Sequence, residues 1–264
     1  MPVTPSPVSR SAIVTRLRSA GCVFAEDEAE LLISAATTPA ELTAMVDRRV
    51  SGLPLEQVVG WAEFCGLRIA VDPGVFVPRR RTEFLVRQAI GLAPPRPVIV
   101  DLCCGSGAVG AALAAALDPA ELHAADIDPA AVACARRNLE PLGAHVYSGD
   151  LFEPLPAALR GRVDILVANV PYVPTREVGL LPAEARLHEP RVALDGGGDG
   201  LDVLRRVAAQ APLWLAPGGS LLVEISERQE SQGSDTARRA GLVPRVARSA
   251  ELAVTVLIAS MDTR

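Results

Sequence analysis

Lysine is absent: all 26 basic residues are arginine, and 31 acidic residues leave a formal net charge of -5. That balance speaks against a strongly basic face for duplex nucleic acid. Aromatic residues make up only 3%, too few for an enzyme that stacks and reads nucleic-acid bases. The three histidines, His123, His145 and His188, are dispersed and form no metal pattern, so no metal is expected. The five cysteines, Cys22, Cys65, Cys103, Cys104 and Cys134, include no CxxC pair. Odd in number and scattered, they read as free thiols in a reducing cytoplasm. No apolar run reaches the length of a membrane span. Residues 1–9 alternate Pro, Ser and Val without a signal peptide's charged and apolar regions, and read as a disordered leader.

Hydrophobic residues make up 49% of the 264, ample for a core. Ile13, Leu17 and Ala20 recur at helical spacing, as do Ala29, Leu32, Ile33 and Ala36. Thr38-Pro39-Ala40-Glu41 reads as the capped start of a third helix. Between Gly60 and Val77 the alternation becomes strand-like, with Asp72-Pro73-Gly74 as a turn signal, which predicts a β-hairpin. From Val98 strands and helices alternate, the pattern of a parallel sheet covered by helices on both faces. Strands are predicted at 98–102, 121–126, 144–148, 163–168, 219–225, 243–248 and 252–259. The last two are joined too closely for a crossover helix, so one is antiparallel. The expected organisation is a leader over 1–9, a helical bundle over 10–55, a linking hairpin over 56–80 and an α/β domain over 81–264.

Two stretches carry chemistry. Val98 to Gly107 is a buried strand running into a glycine turn that opens a helix, with Gly105, Gly107 and Gly110 in G-x-G-x-x-G spacing. That spacing alone fits a dinucleotide. Asp101 stands before the turn, where a carboxylate suits an ammonium group rather than a pyrophosphate. Asp126 ends the second strand and suits a ribose diol; Asp150 follows the third and suits an adenine amino group. S-adenosylmethionine needs all three contacts. The second stretch, Asn169-Val170-Pro171-Tyr172, ends a fourth strand, where open α/β sheets bind ligands. Pro171 fixes its own φ and restricts Val170. The Asn169 side-chain oxygen and the Val170 carbonyl are suited to accept the two N–H groups of an amide nitrogen, with Tyr172 packed over its plane.

Asn-x-Pro-Tyr after the fourth strand resembles the amino-methyltransferases whose motif is Asn-Pro-Pro-Tyr. More closely, the chain is similar to the protein glutamine N-methyltransferases that act on peptide chain release factors. The likeness runs from about Leu55 to the C-terminus and includes GWAEFCGLRIAVDPGVFVPRRRTE, VDLCCGSG, ADIDPAAVACARRN, GDLFEPLP and HEPRVALDGGGDGLDVLRRV. It implies an α/β fold with a Rossmann-like, seven-stranded, mostly parallel methyltransferase sheet, a small N-terminal helical bundle and a linking β-hairpin. It implies S-adenosyl-L-methionine as cofactor, held by Asp101, by Cys104, Gly105, Ser106, Gly107 and Ala108, by Asp126 with Ile127, by Asp150 with Leu151, and by Asn169. Asn169, Val170, Pro171 and Tyr172 become the catalytic clamp for the acceptor amide, with Glu83, Glu189 and Arg191 near the substrate entrance. The partner implied is a protein substrate, a release factor or another glutamine-bearing protein, with neither membrane nor nucleic acid. The sequence departs from the family pattern at Val170 for a proline, at PRRRTE for PRPxTE, and at Leu151 for an aromatic, which either weakens adenine stacking or moves it to Phe152. Methylation of exocyclic amines on nucleic acid or of a small-molecule amide or amine are the alternatives. A non-catalytic binder of the same cofactor and a nicotinamide-dependent dehydrogenase stand further off.

Overall fold

A computed structural model describes residues 7–262, and side chains from Arg10 onward. The leader expected over 1–9 falls outside it for residues 1–6, and helix α1 already spans Pro7–Ser19. Gly21, at φ 91°, ends that first helical stretch. Helices α2 (Ala25–Ala35), α3 (Pro39–Val50) and the short α4 (Leu55–Val59) complete a bundle. Its core is Leu17, Ala29, Leu32, Met45, Val46 and Val58. Thr38 caps α3 by accepting from the Glu41 amide at 3.1 Å, and Pro39 occupies the first turn, where its missing N–H costs nothing.

Strands β1 (Trp61–Phe64) and β2 (Leu67–Ala70) pair antiparallel with Phe64 opposite Leu67. The hairpin turn is therefore Cys65-Gly66, both residues at positive φ (51° and 74°), the geometry that matches strand twist. Asp72-Pro73-Gly74 is a separate turn beyond β2, closed by Val75 N–H to Asp72 O at 3.1 Å. The sequence signal was sound, but it marked the exit of the hairpin rather than its tip. Helix α5 (Glu83–Ile90) follows one turn of tighter helix at Arg80–Thr82.

The main sheet comprises β3 (Val98–Leu102), β4 (Glu121–Asp126), β5 (His145–Ser148), β6 (Val163–Ala168), β7 (Leu215–Ile225), β8 (Val243–Ser249) and β9 (Val254–Ser260). Helices α6 (Ala108–Ala116), α7 (Pro129–Leu139), α8 (Ala183–His188), α9 (Asp202–Gln210) and α10 (Glu230–Arg239) lie among them. The seven strands run in the order β5-β4-β3-β6-β7-β9-β8. Only β9 runs against its neighbours β7 and β8. Both faces are buried. Leu102, Leu166 and Leu221 face one layer of core, and Ile99, Ile165 and Leu222 the other. Among the described residues, no helix is long and apolar enough to cross a membrane. Strand order reverses between β3 and β6, so the carboxyl ends of β3, β4 and β6 open onto one crevice. Helices α4 and α8, five and six residues long, are too short to show a helical period in sequence.

Candidate active site

A cavity of about 520 Å³ occupies that crevice. Asp101, Cys104, Gly105, Ser106, Ala108, Asp126 and Ile127 line one end of it. The glycine turn is shaped by hydrogen bonds within a short stretch of chain. The Gly105 amide donates to Asp126 Oδ2 at 2.8 Å, and the Asp128 amide to Oδ1 at 2.9 Å. The three glycines divide the work. Gly105 takes a left-handed φ of 56°. Gly107 lets α7 approach, because a Cβ there would sit 2.8 Å from Leu139. Gly110 clears space for the Asp101 carboxylate and donates its amide to Oδ2 at 2.9 Å. Gly107 itself lies behind the cavity wall.

Asp101 is 1% exposed, and burial pushes its carboxyl up to about 7 against the pull of the Gly110 amide. Burial also raises Asp126, opposed by the backbone amides it accepts from. A buried carboxylate without a counter-charge favours a cationic ligand. The donor and acceptor set here fits S-adenosylmethionine: a carboxylate for its ammonium, a second for a ribose diol, and a backbone turn with no side chain in the way. Cys103 and Cys104 are both raised by burial, so thiolate chemistry is disfavoured.

The other end of the cavity is formed by Asn169, Val170, Pro171 and Tyr172, leaving β6. Among the described residues nothing hydrogen-bonds to the Asn169 side-chain amide or to the Val170 carbonyl. The turn is instead anchored at its last residue, Tyr172. The Tyr172 carbonyl accepts from Gln229 Nε2 at 2.9 Å, and its hydroxyl donates to Glu224 at 2.9 Å. Arg81 donates Nη2–H to the same hydroxyl at 2.6 Å and Nε–H to Glu224 at 2.8 Å. The Thr82 hydroxyl donates to the second Glu224 oxygen at 2.7 Å. Burial, and then the Glu224 charge, push the Tyr172 phenol up, so it stays protonated. Glu189 lines the cavity with a fully buried carboxylate bound by both the Val77 amide and Arg79.

Five expected residues are placed elsewhere. Asp150 is off the cavity wall, paired with Arg206 of α9 at 2.5 Å. Leu151 is a core residue in left-handed backbone, φ 51°. Phe152 is not available to stack on adenine: it is 2% exposed and lies against the Trp214 ring at 5.3 Å. Glu83 accepts from the Cys65 amide at the hairpin tip, and Arg191 pairs outward with Asp195. Glu224, Gln229 and the roles of Arg79 and Arg81 were missed by sequence reasoning. The one available signal was an acid, Glu224, inside the apolar run Leu221-Leu222-Val223-Glu224-Ile225.

A family model described as the methyltransferase small domain matches residues 66–206, more than half of the chain. A release factor glutamine methyltransferase of Geobacter sulfurreducens is 44% identical over 71% of this chain and 66% of its own length, just under two thirds. One of Moorella thermoacetica is 41% identical over 74% of this chain and 70% of its own. The chain belongs to this family. It is a methyltransferase, and S-adenosylmethionine is its methyl donor. A 4-amino-L-phenylalanine/4-methylamino-L-phenylalanine methyltransferase of Streptomyces pristinaespiralis is 36% identical over 81% of this chain and 75% of its own. In fold alone, the chain resembles a Pyrococcus furiosus methyltransferase, with a TM-score of 0.57 at 16% identity, covering 75% of this chain and 90% of that one.

Proposed function

We propose that this enzyme methylates the side-chain amide nitrogen of a glutamine in a protein, with a peptide chain release factor as the acceptor. The observation that carries the reading is the Asn169 side-chain amide. It has no hydrogen-bond partner among the described residues, on a turn stiffened by Pro171, in the same cavity as Asp101 and Asp126.

S-adenosylmethionine, when bound, supplies an electrophilic methyl group on a positively charged sulfur. Asp101 would hold its ammonium and Asp126 its ribose, with Gly105 to Ala108 as the backbone cradle and Ile127 beside them. An amide nitrogen is a weak nucleophile because its lone pair is delocalised. Asn169 Oδ1 and the Val170 carbonyl accept its two N–H groups, which orients the lone pair and favours positive charge on nitrogen. Orientation of this kind is worth about 7–11 kcal/mol of barrier. Methylation makes the nitrogen more acidic, so its proton leaves without a dedicated base. Pro171 stiffens the pair, Tyr172 packs over the amide plane, and the apolar walls exclude water.

A second reading, N-methylation of a small amino-acid-borne amine, is supported by the Streptomyces pristinaespiralis relative, 36% identical over 81% of this chain. An aromatic amine offers the clamp the same pair of N–H groups. Incubation with methyl-labelled S-adenosylmethionine and separate acceptors separates the two. A release factor, total RNA, DNA and an amino-acid pool are the arms. Label on a release-factor glutamine is expected; label confined to the amino-acid pool overturns the first reading in favour of the second.

A further inference from the structure

Pro171 is the one residue of the Asn169–Tyr172 turn whose φ is fixed by a ring; Val170 before it is restricted by that proline but has no ring of its own. A turn that must hold two acceptors in register needs restraint from elsewhere. It comes at the far end, where three side chains close a triangle. The Tyr172 hydroxyl lies 2.9 Å from Glu224, Arg81 lies 2.6 Å from that hydroxyl, and Arg81 lies 2.8 Å from Glu224. Thr82 occupies the other Glu224 oxygen. Glu224 is 2% exposed on the interior strand β7, and so is a rigid post. Arg81 and Tyr172 both line the cavity. Each side chain in the triangle serves two partners, so none can move alone.

We infer that Arg81 is a positioning residue for methyl transfer: its guanidinium fork ties the Tyr172 ring to Glu224 and so fixes the Asn169–Tyr172 clamp against the acceptor nitrogen. The fork is essential to the role. Nε and Nη2 reach two acceptors at once from one planar, preorganised group, whereas a lysine ammonium presents its donors from a single freely rotating atom. Arg79 performs no such function for the clamp, being committed to Glu189. This assignment rests on the methyltransferase reading of the clamp, but not on the identity of the acceptor.

The chain has two tyrosines, Tyr147 and Tyr172, so carbon-13 labelling of tyrosine gives two ring signals and Tyr147 serves as an internal reference. In R81K, which keeps a positive charge beside Glu224, the Tyr172 signal is expected to shift and its ring to flip faster, with Tyr147 unmoved. Turnover on the labelled acceptor falls about tenfold or more, as small misplacements of a reacting group do, while S-adenosylmethionine affinity stays within about twofold. In a Y172F background R81K adds little further loss, because the effect passes through the hydroxyl. The neutral pair R81M with E224Q removes the charge problem and reproduces the loss of turnover if the fork matters. An unchanged Tyr172 signal in R81K, or an equal loss of turnover with and without the Tyr172 hydroxyl, overturns the assignment. Failure to label a release factor, with the Tyr172 signal shifted as expected, would instead reject the acceptor and leave Arg81 in its role.

Discussion

The two ends of the cavity are built in different ways. The end proposed for the cofactor is local: Asp101, Gly105, Ser106, Asp126 and Asp128 lie within one strand–helix–strand unit, joined by backbone amides to carboxylates. The end proposed for the acceptor is assembled from four distant segments, carrying Arg79 with Arg81, Asn169–Tyr172, Glu189 and Glu224, joined by side-chain ion pairs and hydrogen bonds. Backbone geometry tolerates little variation, because a turn that places amides on one carboxylate has few alternatives. Side-chain networks can be rewired with single substitutions. The first construction suits a cofactor that does not change, and the second a surface that must match a particular acceptor.

The sharpest break in that comparison is Asn169→Ala. Methyl transfer should fall by about 10²–10³, the scale of losing an aimed polar group in a water-excluded site, with S-adenosylmethionine affinity by calorimetry within about twofold. Retained turnover would reject the clamp. Arg79→Met attacks the acceptor wall through stability. Glu189, with its side chain fully buried, would keep only the Val77 amide, and leaving a buried carboxylate without its cation costs about 3 kcal/mol. Glu189 is already raised by burial, and Arg79 opposes that rise. Without Arg79 it rises further, so the loss should be largest at high pH, where the carboxylate is charged, and shrink as pH falls and it takes up its proton; urea titrations across that range check this.

The cofactor end should answer to pH instead. The Asp101 carboxyl sits at about 7 in the free enzyme, above its unfolded value. The proton it holds stabilises the folded protein at low pH, and that contribution is lost as pH rises through 7. Ammonium binding needs the carboxylate, so S-adenosylmethionine affinity should fall by up to about tenfold per pH unit below 7. Asp101→Asn should bind weakly and flatten the profile; an unchanged slope would remove Asp101 from the ammonium site. The smallest effect is a control for both ends. Thr38→Ala removes the α3 cap and should cost about 1 kcal/mol in thermal unfolding, with turnover unchanged.

These contrasts also explain what could be read without coordinates. The glycine turn was legible because its requirements are written in adjacent residues: Gly105 for φ, Gly107 for Leu139, Gly110 for Asp101. The Asn169–Tyr172 turn was legible for the same reason. Asp150 shows what stays hidden in sequence: position after a strand says nothing of a competing arginine, and Arg206 arrives from α9. Glu83 and Arg191 were judged by motif neighbourhood, yet one serves the hairpin tip and the other its own short turn. The hairpin turn was displaced because Cys65-Gly66 is a weaker signal than Asp72-Pro73-Gly74.

By itself, then, the sequence determined the strand and helix order, the cofactor turn and the polar tip of the fourth core strand. Each of these depends on periodicity, on backbone freedom or on residues a few positions apart. Only the tertiary structure decided which charges meet: Arg81 and Tyr172 with Glu224, Arg79 with Glu189, Arg206 with Asp150. Such pairs join residues more than fifty positions apart, and the energy of a charge is settled by burial and partner, neither of which is encoded locally.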